Sequence, residues 1–291
     1  MNKSKFFKCL LLLFFVSLRT SHAGEGLFGW IYTLDLQPKG SYEFEQRAQL
    51  NHKQKGDYDN WKFRTEIEYG VTDNFQLSGY INTNRINAYK NDKDYLTAGG
   101  DIPENINQES RYKNTRFESV SLEGIYRITN PVVDPIGVGI YLEPEIGPDI
   151  KEIEARLLLQ KNMIDDRLIL ASNFVFTTEK DSFMNPAEPE KASHFDLLAG
   201  ASYRFTSNWN AGLEYRYHND FAGYFYQSVT QHGHFIGPNL HYASEKWWAT
   251  VAWRHQLGGT CHNEGVNECA DGYVMDDHGR EEFMFKFGIP L

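Results

Sequence analysis

The chain has 291 residues, 41% of them hydrophobic and 15% aromatic, with a formal charge of −10 at neutral pH. Setting aside Lys3, Lys5, Lys8 and Arg19 of the first 23 positions removes four positive charges and leaves −14, which excludes nucleic acid as a partner. No stretch approaches the roughly 18 uninterrupted apolar residues of a spanning helix, so a membrane could be crossed only by strands.

The N-terminus reads as a secretory signal peptide over 1–23: a basic region with Lys3, Lys5 and Lys8, an apolar run from Cys9 to Leu18, then Ser21, His22 and Ala23 at the cleavage site. Cys9, at the front of the apolar run, is not placed as a lipoprotein cysteine. In the next segment, 24–40, Phe28, Trp30, Tyr32, Leu34 and Leu36 alternate well enough for a strand. A periplasmic interfacial segment, an extra strand and an inserted plug all fit it.

From 41 to 291 apolar and polar residues alternate at period two. The stretches predict strands over 41–52, 61–71, 75–85, 116–128, 137–147, 151–162, 167–179, 193–206, 209–219, 232–242, 246–258 and 280–290. Tight polar turns at Thr72-Asp73-Asn74, Ile164-Asp165-Asp166, Ser207-Asn208 and Ala243-Ser244-Glu245 alternate with longer segments at 86–115, 180–192, 220–231 and 259–279. The link Thr129 to Ile136, with Pro131 and Pro135, is long for its rim, and the link after Gly147 and Pro148 is short for the other.

One parity is almost free of charge: Trp61, Phe63, Thr65, Ile67, Tyr69 and Val71 in the second stretch, and Phe195, Leu197, Ala199, Ala201, Tyr203 and Phe205 in the eighth. In the eighth, Leu198 is the one apolar residue of the polar parity, and in the seventh Ile169, Ala171 and Val175 make both faces apolar. Aromatics such as Tyr69, Phe75, Tyr203, Phe205, Trp209 and Trp247 gather beside the short turns, as interfacial girdles require. The pattern predicts an all-β fold: an antiparallel up-and-down transmembrane β-barrel of about twelve strands in the bacterial outer membrane, with short periplasmic turns and long external loops. A soluble periplasmic β protein is the alternative; it would need a second layer over the apolar face.

The segment Gly29-Trp30-Ile31-Tyr32-Thr33-Leu34-Asp35-Leu36-Gln37-Pro38-Lys39-Gly40, then Tyr42 to Arg47 and Glu66-Ile67-Glu68-Tyr69-Gly70-Val71-Thr72-Asp73-Asn74-Phe75-Gln76-Leu77, resembles an uncharacterised family of Gram-negative outer-membrane β-barrel proteins. The resemblance spans most of the chain after the signal segment and implies location and fold rather than an activity. One departure is the C-terminal Phe287-Gly288-Ile289-Pro290-Leu291, where such barrels commonly end in an aromatic residue recognised by the barrel-assembly machinery. Outer-membrane lipid and lipopolysaccharide are the other expected partners.

Function has to be read from the inward parity. The acids there are Glu43, Glu45, Glu66, Glu68, Glu123, Glu143, Glu145, Glu152, Glu154, Asp196, Glu214 and Glu282; the bases are Arg47, Lys62, Arg64, Arg127, Arg156, Arg204, Arg216, Arg254 and Lys286. Twelve acids against nine bases make a nearly balanced lining, compatible with a narrow porin-like channel for small polar solutes or ions or with a lumen closed by salt bridges. No cofactor signature appears and no catalytic or metal residues are assigned.

A lipid-acting enzyme would need a serine beside a histidine at the external rim; Ser228, with His232, His234 and Asp220, is the nearest set, in a polar loop where such residues gather anyway. Metal capture by His218, His232 and His234 is a further possibility. Cys261 and Cys269, in a Gly, Asn and Asp-rich stretch of an exported chain, read as a disulfide closing one loop; their spacing does not match common zinc motifs, although His262, Asp276, Asp277 and His278 lie nearby.

Overall fold

The computed structural model describes residues 25–53, 57–89, 110–183, 185–262, 269–270, 272–274 and 278–291; the expected signal segment 1–23, most of the expected loop 86–115 and part of 259–279 lie outside them. Twelve strands close into one barrel: β1 (Tyr42–His52), β2 (Asp57–Thr72), β3 (Phe75–Tyr89), β4 (Tyr112–Thr129), β5 (Gly137–Ile146), β6 (Ile150–Met163), β7 (Leu168–Asp181), β8 (Glu190–Arg204), β9 (Trp209–Ala222), β10 (Ser228–Ala243), β11 (Trp248–Cys261) and β14 (Glu281–Pro290). A small ribbon of β12 (Cys269–Ala270) and β13 (Tyr273–Val274) forms a separate sheet held against β11, with Gln256 Nε2 donating to Val274 O at 2.9 Å.

Each barrel strand pairs antiparallel with its neighbour, and β14 returns to β1 with Phe44 opposite Ile289 and Leu50 opposite Phe283. Closure leaves no open sheet edge, so the ladder satisfies the wall's backbone groups without water.

The apolar parity forms the outer wall. Leu122 is 57% and Leu213 50% exposed, in company with Ile128, Ile140, Leu142, Ile153 and Val251, and among the described residues no sheet or helix covers them. Such a wall is stable only against lipid, and this excludes the soluble alternative. The barrel is an outer-membrane protein. At the rim with short turns, aromatic rings join into a girdle: Tyr42 stacks on Tyr69 at 4.5 Å, and Tyr242 lies 4.9 Å from Trp209 and 4.7 Å from Trp247.

All twelve predicted barrel strands are present, and the differences in their bounds cluster at the external ends. β2 begins at Asp57, β4 at Tyr112, β8 at Glu190 and β10 at Ser228, while β3 runs on to Tyr89 and β9 to Ala222. Above the bilayer both faces of a strand meet water, so period-two hydropathy fades although the hydrogen-bond ladder continues. The supposedly long segment 220–231 therefore shrinks to 223–227. The two misfitting links are real: Asn130 and Asp134 staple the long periplasmic turn, with Asp134 N donating to Asn130 O at 2.8 Å, and Gly147 N donates to Ile150 O at 2.8 Å across the short external one.

Candidate functional site

The barrel interior is occupied by its own chain. Residues 25–40 start at the short-turn rim with a 3-10 turn at Glu25–Leu27, where Gly26 packs against Trp248, cross the lumen, and leave at the same rim, Gly40 N donating to Gly70 O at 2.7 Å. Beyond the 3-10 turn the segment joins no strand, so its backbone groups need other partners. Inward side chains supply them. Glu214 accepts from the amides of Gly29 (2.7 Å) and Trp30 (3.0 Å), and Asn173 both accepts from Tyr32 N (2.7 Å) and donates to Tyr32 O (2.9 Å). Gln160 accepts from Leu34 N at 2.5 Å, Gln76 from Gln37 N at 2.7 Å, and Arg127 donates to Leu34 O at 3.0 Å.

Two apolar clusters seat the segment. Leu27, Phe28 and Ile31 pack on Ala171, Val175 and Leu198, with Ile169 alongside; Tyr32, Leu34 and Leu36 pack on Ile125, Tyr141 and Leu158. This accounts for the apolar inner face of β7 and for the lone Leu198 of β8: both face protein rather than water. Gly200 and Gly139 make room, since a Cβ there would meet Ile31 Cδ1 at 2.6 Å and Leu34 Cδ2 at 2.4 Å. Burying Phe28, Ile31 and Leu34 contributes about 1.5–3 kcal/mol each.

Tyr32 is the centre of the charged lining. Its hydroxyl donates to Glu123 Oε2 at 3.1 Å and accepts from Arg47 Nη2 at 3.2 Å and Arg64 Nη1 at 3.1 Å. Arg156 lies 4.5 Å and Lys286 5.6 Å from the ring centroid. Arg47 also pairs with Glu45 (3.5 Å), Arg64 with Glu143 (3.8 Å) and Arg156 with Glu154 (2.6 Å), while Glu66 is buried in the same layer. Toward the periplasm Glu43 accepts from Trp248 Nε1 at 2.8 Å, Glu68 from Gln37 Nε2 at 3.1 Å, Lys286 approaches Glu45 at 3.8 Å, and Arg204 lies at the rim.

The remaining predicted lumen residues border an external vestibule. Its cavity of about 560 Å³ is floored by Trp30 and lined by Lys62, Glu152, Asp196, Arg216, Arg254 and Glu282 among others. Arg254 stacks on Trp30 at 3.7 Å and pairs with Glu282; Arg216 chelates Asp196 at 2.5 and 3.0 Å. Glu145 lies in a smaller adjoining cavity of about 210 Å³, accepting from Ser119 at 2.6 Å and Ser121 at 3.0 Å. The lumen list read from sequence omits Glu179, His194, His218 and Asp220 among other vestibule residues, with His218 and Asp220 weighed only in the rim sets, although parity places all four on the inner face with Asp196 and Arg216. Burial, with the His218 imidazole opposite, lowers the pKa of nearby His278 to about 4.

The rim sets weighed from sequence do not assemble. His218 and Asp220 face the lumen, whereas His232 and His234 lie on the outer face, where His234 stacks 4.8 Å from Tyr217 and bonds the Tyr215 hydroxyl at 2.7 Å. The wall thus separates the Ser228 set and the three-histidine set alike.

Solved structures share the architecture at low identity. An outer-membrane channel from Pseudomonas putida F1 aligns with a TM-score of 0.57 at 10% identity, over 88% of this chain and 97% of its own. The NanC porin aligns with a TM-score of 0.50 at 10% identity, over 86% of this chain and all of its own (100%). No curated protein matches in sequence. Residues 20–291, the inner segment and the whole barrel together, match one family description, and the chain belongs to that family of unknown function, DUF6662.

Proposed function

We propose that this barrel is a narrow porin-like channel for small polar solutes or ions, with residues 25–40 forming its constriction. The observation that carries the reading is the charged vestibule, a polar cavity that reaches from the external strand ends down to Trp30. Its lining holds seven acids (Glu152, Glu154, Glu179, Glu190, Asp196, Asp220, Glu282) against five Lys and Arg residues (Lys62, Arg156, Lys191, Arg216, Arg254), a balance that favours cations weakly. The predicted lumen residues then divide the work: those around Tyr32 hold the constriction, and those above it set the field a solute meets. Lipopolysaccharide on the outer wall and the barrel-assembly machinery complete the proposed partners.

Planar-bilayer recording tests this reading. Small, weakly cation-selective unitary currents are expected from the intact barrel, and removal of residues 25–40 is expected to enlarge them several-fold. A silent intact barrel that conducts only after the deletion would make it a closed structural barrel. Silence of both would end the channel reading.

A further inference from the structure

One group of side chains in the vestibule has a geometry that conduction does not require. His194 of β8 lies directly across from Asp220 of β9, and Asp196 of β8 across from His218 of β9, so the strand register gathers all four on the inner face. One ligand atom from each of His194, His218 and Asp220 lies within 4.8 Å of the others. Asp220 Oδ1 sits between the two imidazoles, in contact with His194 Nδ1 and 2.7 Å from His218 Nε2.

The far nitrogen of each ring is held by a second carboxylate. His194 Nε2 lies 3.1 Å from Glu179 Oε1, and His218 Nδ1 lies 2.8 Å from Asp196 Oδ1. Gln231 Nε2 donates to the other oxygen of Asp220. Carboxylates behind imidazoles are the arrangement that fixes tautomer and aim in metal-binding histidines. His218 is only 2% exposed, and its buried Nε2 is directed at Asp220 Oδ1.

Charge points the same way. Among the groups in direct contact with the two rings, Asp220, Asp196 and Glu179 supply three carboxylates against one guanidinium, that of Arg216, which chelates Asp196, reaches His218 Nδ1 at 2.7 Å and also lies 3.7 Å from Glu282. An excess of carboxylates around two imidazoles favours a cation there.

We propose that His194 Nδ1, His218 Nε2 and Asp220 Oδ1 bind one divalent transition-metal ion that enters from the external side. Imidazole and carboxylate ligands without a thiolate suit zinc and its neighbours, and three protein ligands leave a fourth position open to the vestibule. Binding displaces the protons shared between Asp220 and the rings, and Nδ1 of His218 then donates to Asp196. The site stands whether or not the lumen conducts.

Calorimetric titration of the purified, folded barrel with zinc chloride tests it. One ion per chain is expected. His218→Gln and Asp220→Asn should each weaken binding by at least about 100-fold and Glu179→Gln by about 10–100-fold, while His232→Gln on the outer face leaves it unchanged. X-ray absorption on the zinc-loaded, unsubstituted protein provides a readout independent of variant folding and should show two imidazole nitrogens and a carboxylate oxygen. Absence of binding heat, a zinc shell without two imidazoles, or affinity lost in His232→Gln but kept in His218→Gln would overturn the proposal.

Discussion

Tyr32 joins four elements through one phenol: β1 by Arg47, β2 by Arg64, β4 by Glu123 and β6 by Arg156. Removing the hydroxyl leaves the ring in place and deprives three charged groups of a partner, so Tyr32→Phe is expected to loosen the inner segment by about 1–3 kcal/mol. Amide exchange at residues 29–34 reads this; exchange as slow as in the unsubstituted barrel would show that the phenol holds nothing. The charges around Tyr32 were legible in the sequence, because period two assigns each to the lumen. The phenol's role was not, since its partner Glu123 lies 91 residues away and no local pattern encodes that distance. The same holds for His194 and Asp220, which share a parity but meet only through the register of β8 on β9.

At the scale of elements, hydropathy marked each strand where it crosses lipid and lost it where it emerges. It also marked β7 and Leu198 as exceptions, and the inner segment turns those exceptions into a seat for Phe28 and Ile31. In the expected segment 24–40 the alternation of Phe28 to Leu36 suits a strand, yet the described residues 25–40 join no ladder, because lumen side chains rather than a neighbouring strand satisfy their amides. On the external side, Cys261 ends β11 and Cys269 opens the β12–β13 ribbon. We propose a disulfide between them as a local staple, and closing so short a loop stabilises it by about 2–3 kcal/mol. Intact mass after alkylation without reductant should show both thiols blocked, and the double Cys→Ala variant should keep the barrel's heat-modifiable gel migration; two free thiols would remove the staple.

For the whole molecule the wall and its solvent decide stability. Leu213 lies four positions from both Trp209 and Tyr217, near the middle of the apolar band, so Leu213→Arg should lower unfolding free energy in lipid by about 2–4 kcal/mol, while Tyr203→Arg at the rim should cost about 0–1 kcal/mol. Denaturant titration in vesicles compares the two; equal losses would mean that the band is misplaced along the strands. The all-β class, the twelve barrel strands and the lipid-facing parity are legible in the chain alone, because a wall between lipid and polar lumen imposes period two locally. The folded barrel adds that the inner segment crosses the lumen, that Tyr32 gathers its charges and that two histidines and an aspartate meet in the vestibule. Those contacts depend on strand register and on a crossing between distant residues, which period two alone does not encode.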